Sequence, residues 1–424
     1  MSEAMELRIE QAGARPVAVS RTSLWRSPYA VGGVILLVYA LWFGAFSIAG
    51  YSAHDMILIS KMYATQSHVS SAITYDPQHY RYAHNKVGYD GQFFYFIAAD
   101  PIHARYYLDN PAYRYTKILY PILARLVAFG QVGLIPYTLL LINWLAAGVG
   151  TMLVAAWLRR RGLSPWLALA YGLYPGIFIG FQRDLTEPLS YALVALAVYL
   201  FDFGGRNRVL ISAAIFALAV LTRDKAVVFP ALFSAGLFFQ GVWASPAADR
   251  IRMLVRNVPT SAVFLGIAAG PLVLWKLFLR HWMHSMTLTQ EGGDVRPFHA
   301  LAMQSMMNGN TLIVVLTCVV PGVICGAMAV WALYRRQWDV KVWTLLVIVL
   351  FSVVTLDPQF YRDLFGMLRV SSGVVLATLY GLPFIDRATG GKRAWWWTSL
   401  VLWFPIPFAF ALFGPLYILH GHGS

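Results

Sequence analysis

The chain has 424 residues, 58% of them hydrophobic and 12% charged, with a formal net charge of +14. A soluble domain carries roughly 25% charged residues. Half that value, with apolar runs of about 20 residues recurring end to end, excludes an ordinary soluble fold and implies an all-α polytopic membrane protein. The basic excess then reads as Lys and Arg holding cytoplasmic loops in place, not as a nucleic-acid surface.

In chain order, residues 1–28 form a cytoplasmic tail, too long and too mixed in charge for a signal peptide, so the first apolar span reads as an uncleaved anchor. Residues 29–424 form one transmembrane domain. Its spans are expected near 29–49, 133–157, 164–181, 188–203, 209–222, 226–243, 258–279, 311–334, 342–356, 370–386 and 395–418, about eleven helices in all. Between the first two lies a long loop, about 50–132, in which residues 118–130 (ILYPILARLVAFG) are too short to span and should re-enter or lie in the interface. A second long loop covers about 280–310, with Gly292-Gly293 as a hinge by composition. Placing the N-terminus inside puts Arg159–Arg161, Arg206, Arg208, Arg250, Arg252, Arg256, Arg335, Arg336 and Lys341 in short inner loops, as the positive-inside rule prefers. All ten histidines and both long loops then face outward, so the chemistry should lie on the extracytoplasmic side of a plasma (bacterial inner) membrane.

Gly172/Gly176/Gly180, Gly266/Gly270 and Gly322/Gly326 sit at small-xxx-small spacing and are expected to let helices approach closely. Cys318 and Cys325, seven residues apart in one apolar run, would lie about 10 Å apart on a helix, beyond disulfide reach. No phosphate-loop motif, Rossmann-like half or D-x-D is present, which speaks against an ATP-driven pump and a cytoplasmic nucleotide-sugar enzyme. The spans carry almost no interior charge, which speaks against an ion-coupled transporter.

Charge gathers instead at outer helix ends: Arg183, Asp184 and Glu187 in FQRDLTEP, Arg223, Asp224 and Lys225 in LTRDKAV, and Asp357, Tyr361, Arg362, Asp363 and Arg369 in DPQFYRDLFGMLR. Each turn alone could be a charged hairpin cap. Together they suit a phosphate-bearing lipid, whose tail delivers the phosphate to the interface where Arg and Lys can hold it. Asp90 heads the aromatic run GYDGQFFYFIAADP, flanked by Tyr89, Gln92, Phe93, Phe94 and Tyr95. Two readings stand: the acid is a general base beside an aromatic wall or membrane plug, or it caps a short helix beginning at Gly91. His79/His84 and His281/His284 have workable metal spacing without a strong signature, so no cofactor is required and a divalent cation is left open.

The first loop with GYDGQFFYFIAADP and AYRYTKILYPILARLVAFG, followed by RDLTEPLSYAL and LTRDKAVVFPAL, resembles the integral-membrane C-type (GT-C) glycosyltransferases, in particular their bacterial mannosyltransferase-like branch. The resemblance covers roughly residues 29–240, and its four motifs carry it by order and spacing. It implies a bundle of about eleven helices with two large external loops. The implied activity is transfer of a sugar, mannose-like, from a polyprenyl-phosphate carrier to an extracytoplasmic glycan, lipid or protein acceptor with inversion. By the same resemblance Asp90 is the base, and Arg183, Arg223 and Lys225 surround the carrier phosphate, to which Arg362 is added as a fourth candidate from its own outer turn. Asp184, Glu187, Asp224, Tyr89, Gln92 and Tyr95 would support them. The chain departs from the family where Gly91 replaces a second acid, which leaves Asp55 in YSAHDM as a rival base. The other readings are a transporter or flippase of lipid-linked glycans and a non-catalytic envelope-assembly subunit.

Overall fold

A computed structural model describes residues 27–60, 63, 88–106, 108–242, 245–284, 296–302, 309–355, 358–361, 363–391, 399 and 403. Among them the chain is helical, with no strand. The long helices are α1 (Pro28–Ile48), α5 (Ile135–Arg160), α7 (Glu187–Phe203), α8 (Arg208–Thr222), α9 (Val228–Phe238), α10 (Arg250–Met283), α11 (Val320–Tyr334), α12 (Val340–Val349) and α13 (Leu364–Ala388). Short helices α2 (Ala53–Ile57), α3 (Gly91–Ala99) and α4 (Leu119–Val127) lie between α1 and α5, and α6 (Pro175–Gln182) precedes α7.

Local chemistry sets these limits. Proline occupies the first turn of α1, α5, α6, α7 and α11, where its missing N–H costs nothing. Arg159 and Arg160 end α5 and complement its dipole. Five helical stretches, Pro28–Ile48, Val132–Arg160, Ala247–Met283, Thr311–Tyr334 and Leu364–Ala388, are each long and apolar enough to cross a membrane. The expected eleven spans are therefore not established. Helices do occupy every expected stretch up to 370–386, but several are too short to count alone, and 395–418 lies almost entirely outside the described residues. The expected single helix over 164–181 is broken into Pro165–Ala168, Leu169–Gly172 and α6, because Pro165 and Pro175 each start a new helical piece.

α13 runs through the middle of the bundle, buried along almost its whole length, against α6, α11 and α12. Gly176 admits the backbone of Leu368 there, and Gly172 and Gly180 meet Ile35 and Pro188 in the same close manner. Gly322 and Gly326 pack on Val353 and Val349. Gly266 and Gly270 do not behave as expected: nothing lies near a Cβ built on either, so they face open space on α10.

Within the first loop, α3 and α4 pack onto this bundle. α3 has nine residues, all buried, and α4 packs against it. A helix of nine residues is marginal by itself. Here Arg125 of α4 donates to the carbonyls of Ala98 and Ala99 at 2.9 and 2.7 Å and closes the C-terminal end of α3. Leu126 in the last turn of α4 and Phe129 just beyond it are exposed.

Candidate functional site

The turn before α3, the turn Pro111–Arg114, the α8–α9 connection and the first turns of α13 enclose a cavity of about 220 Å³. Its charged lining consists of Asp90, Lys117, Arg223, Asp224, Lys225, Asp363 and Arg369, with Tyr89, Tyr113 and Phe360 as aromatic walls.

Asp90 occupies the N-cap position of α3 but does not cap it. Its backbone is helical (φ −58°, ψ −26°) and its side chain makes no bond to the first turn. The carboxylate instead accepts from two guanidinium groups, Arg114 Nη1 to Oδ1 at 2.9 Å and Arg369 Nη1 to Oδ2 at 2.9 Å. Burial alone would raise its pKa, but Arg114, Arg369 and Lys117 outweigh it and hold the carboxyl well below the usual carboxylate range. The helix-cap reading thus fails on geometry. An acid that does cap is Asp55: its Oδ2 accepts from the Ser52 amide at 2.7 Å and the Ser52 hydroxyl at 3.1 Å, a capping box at the start of α2. Asp55 does not line the cavity.

The arginines extend the network in both directions. Arg114 also grips Asp109 with a two-point fork, Nε to Oδ1 at 2.8 Å and Nη2 to Oδ2 at 2.7 Å, and its guanidinium lies 4.1 Å above the Phe93 ring. Arg369 donates from Nε to Glu187 Oε1 at 2.6 Å, and Arg223 Nη1 meets the same oxygen at 2.6 Å. The result is an alternating row Asp109–Arg114–Asp90–Arg369–Glu187–Arg223, charge-compensated while it is buried. Lys117 donates to the Tyr113 hydroxyl at 2.8 Å. Asp224 stands 3.6 Å from Lys276, which gives that lysine an acidic partner. Lys225 lies 5.0 Å over the Phe360 ring, and burial, helped by the charge of Arg223, pulls its ammonium down to about 8.

The remaining expected site residues are distributed unevenly. Glu187 is fully buried behind the cavity as the partner of two arginines. Arg183 is buried and does not line the cavity; its carbonyl oxygen presses on Gly91, so that glycine makes room for backbone and not for a substrate. Asp184 is fully buried in the αL region (φ 51°), and burial pushes its carboxyl well up against the weaker pull of Arg183. Gln92 accepts from the Ser60 amide at 3.0 Å and is a strut of the loop. Tyr95 is buried against Phe96. Of the aromatic wall, only Tyr89 faces the cavity; Phe93, Phe94 and Tyr95 point into the core, closer to the plug than to the stacking platform. Arg362, Asp357, Gly292, Gly293, His79 and His84 lie outside the described residues. Among the described residues no group of three His, Cys, Asp or Glu is placed to hold a metal ion. Cys318 and Cys325 are both free and buried.

Sequence reading assigned no role to Arg114, Lys117, Asp109 or Tyr113 and left Arg369 as one charge among several. Arg369 did carry a signal. It lies five residues into a helix otherwise apolar for several turns, where a charge needs a partner.

No family model, no curated protein and no solved structure matches this chain. What the fold and the cavity define is a class: a chain that is helical throughout its described residues, with five stretches long and apolar enough to cross a membrane and a buried, ion-paired cavity at one end of its bundle. The particular activity is a matter of chemistry at that cavity.

Proposed function

We propose that this protein is a membrane glycosyltransferase that takes a sugar from a polyprenyl-phosphate carrier and passes it, with inversion, to a glycan, lipid or protein acceptor on the extracytoplasmic face of the cell membrane. By resemblance the sugar is mannose-like. The observation that carries the reading is a carboxylate, Asp90, in the wall of a cavity that also presents Lys117, Arg223, Lys225 and Arg369. Beside it runs an apolar groove of Ile118, Leu221, Pro271, Leu274, Trp275 and Phe278. Ile118 and Leu221 adjoin Lys117 and Arg223 closely in sequence, so an isoprenoid tail in the groove would present its phosphate to the cations.

The chemistry follows from the ion pairs. Asp90 shares its two oxygens between Arg114 and Arg369 and is a weak base while both hold it. A donor phosphate competes for Arg369 and leaves one Asp90 oxygen free to take the proton of the acceptor hydroxyl. The acceptor oxygen bonds to the anomeric carbon as the bond from that carbon to the phosphate oxygen breaks. The electron pair leaves with the phosphate, whose added charge Arg223 and Lys225 stabilise. A phosphate leaving group needs no strong acid, so one carboxylate suffices where glycosidases use two.

The test is direct. Purified protein in lipid nanodiscs receives polyprenyl-phosphate-mannose and an oligomannose acceptor, and free polyprenyl phosphate is measured. Acceptor-dependent release supports the reading. Movement of the intact donor between leaflets with no release would make it a flippase, and neither event would leave a non-catalytic subunit.

A further inference from the structure

α7 and α8 each carry charge at both ends. Glu187 of α7 and Arg223 of α8 belong to the site above, while Asp202 and Arg208, at the opposite ends of the same helices, line a second cavity. Fifteen residues of helix separate the two members of each pair, about 22 Å. The second cavity is far larger, about 840 Å³, within the ~300–1,000 Å³ range of sites that enclose a small organic ligand.

Its wall is mainly apolar, built from Phe201 of α7, Phe233 and Leu237 of α9 and Val340 of α12. Trp338 and Trp343 stand at its rim, 57% and 39% exposed, in the manner of side chains at a membrane–water boundary. Charge lies to one side. Asp202 is engaged at both oxygens: it accepts from the Trp157 indole at 2.8 Å, from Arg161 at 2.8 Å and from Lys341 at 3.1 Å. Arg208 donates only to the Asp202 backbone carbonyl, at 3.3 Å, and no carboxylate pairs with it among the described residues. Arg161, Arg208 and Lys341 thus face Asp202 and Asp339, which leaves the lining net positive.

A chamber with an apolar wall, a tryptophan rim and a cationic side fits an amphiphile with an anionic head. We infer that this cavity binds an anionic phospholipid from the leaflet at that end of the bundle, its phosphate between Arg208 and Arg161 and an acyl chain among Phe201, Phe233 and Leu237. A soluble anion would leave the apolar wall unused, and a neutral lipid would leave Arg208 unused. The inference does not depend on the proposed transferase activity.

Native mass spectrometry of the full-length protein tests it, with phosphatidylglycerol and phosphatidylcholine of identical chains and glycerol 3-phosphate as a headgroup-only arm. Phosphatidylglycerol should be retained about fivefold better than phosphatidylcholine, the scale of one basic residue at a membrane surface. Arg208→Gln should bring that ratio near one, and Arg256→Gln, exposed and away from the lining, should leave it unchanged. Leu237→Trp, which fills the chamber, should lower retention of both lipids. Equal retention of the two lipids by the wild-type protein would overturn the inference without recourse to any variant. So would displacement of phosphatidylglycerol by glycerol 3-phosphate, which would reassign the site to a soluble phosphate.

Discussion

Asp90→Asn is the substitution on which the transferase reading turns, and the ion-pair row sets its expected size. Each arginine that Asp90 binds keeps another carboxylate: Arg114 retains the two-point fork to Asp109, and Arg369 retains Glu187. No buried guanidinium is stranded. The bond to one arginine is therefore weakened, where the asparagine oxygen replaces a carboxylate oxygen, and the bond to the other is lost, because the amide NH2 can only donate, a cost of about 1.5–3 kcal/mol of stability. Turnover should fall far more, by about 10²–10⁴, because an amide cannot take the hydroxyl proton. Donor affinity should hold or rise, since the variant removes the carboxylate that competes with phosphate for Arg369. The assay pairs release of polyprenyl phosphate with a donor-binding isotherm and a thermal melt on the same preparation. An active Asp90→Asn protein refutes the base. A variant that loses donor binding in step with activity refutes the competition between carboxylate and phosphate.

Three further outcomes are expected. Asp55→Ala removes the capping box of α2 and should cost about 1 kcal/mol in a melt while turnover stays at the wild-type level; loss of turnover would restore Asp55 as the base. Lys225, held near 8, is charged at pH 7 and loses its proton as pH rises, where an ordinary lysine keeps it. Donor affinity should therefore fall between pH 7 and pH 9, and Lys225→Arg should flatten the profile; an unchanged slope would remove Lys225 from the phosphate site. In a background lacking Cys318 and Cys325, single cysteines at His103 and Arg206, both exposed, should react with an impermeant thiol reagent from opposite sides of the membrane, the first from outside. Labelling of both from one side would undo the proposed orientation.

How much of this was legible in sequence depends on range. Apolar runs mark helices locally, so α1, α5, α10 and α13 stand near their expected places, and the short apolar stretch with Arg125 is a non-spanning helix, as its length required. Proline is equally local, yet its effect on 164–181 was masked by continuous hydrophobicity. The glycine pairs show the limit of a spacing rule: Gly322/Gly326 and Gly266/Gly270 read alike, but only the first pair meets a neighbour. The cap reading of Asp90 failed because a dihedral angle and distant partners decide it. Its arginines lie 24 and 279 residues away, and the Arg369–Glu187 bond spans 182. Single-sequence periodicity carries no information at that range.

The pairing row also explains why a buried cation cluster should contain so many acids. Uncompensated arginines at this depth would be costly to bury, and removing one partner from such a pair typically costs about 3–5 kcal/mol. Glu187 answers that problem for Arg223 and Arg369 together, since both reach the same oxygen, Oε1. Glu187 is inaccessible, so its hold on the two arginines persists when a ligand enters. Asp90, by contrast, retains 27% of its side-chain surface and stands on the cavity wall. An anion arriving in the cavity therefore meets Arg223 and Arg369, both fixed from behind by Glu187, and Arg369 is held in front by a carboxylate the anion can displace. On the transferase reading, the same contacts that stabilise the cavity make Asp90 the group whose state would change when phosphate binds, which is where a base that should act only on a loaded donor needs to be.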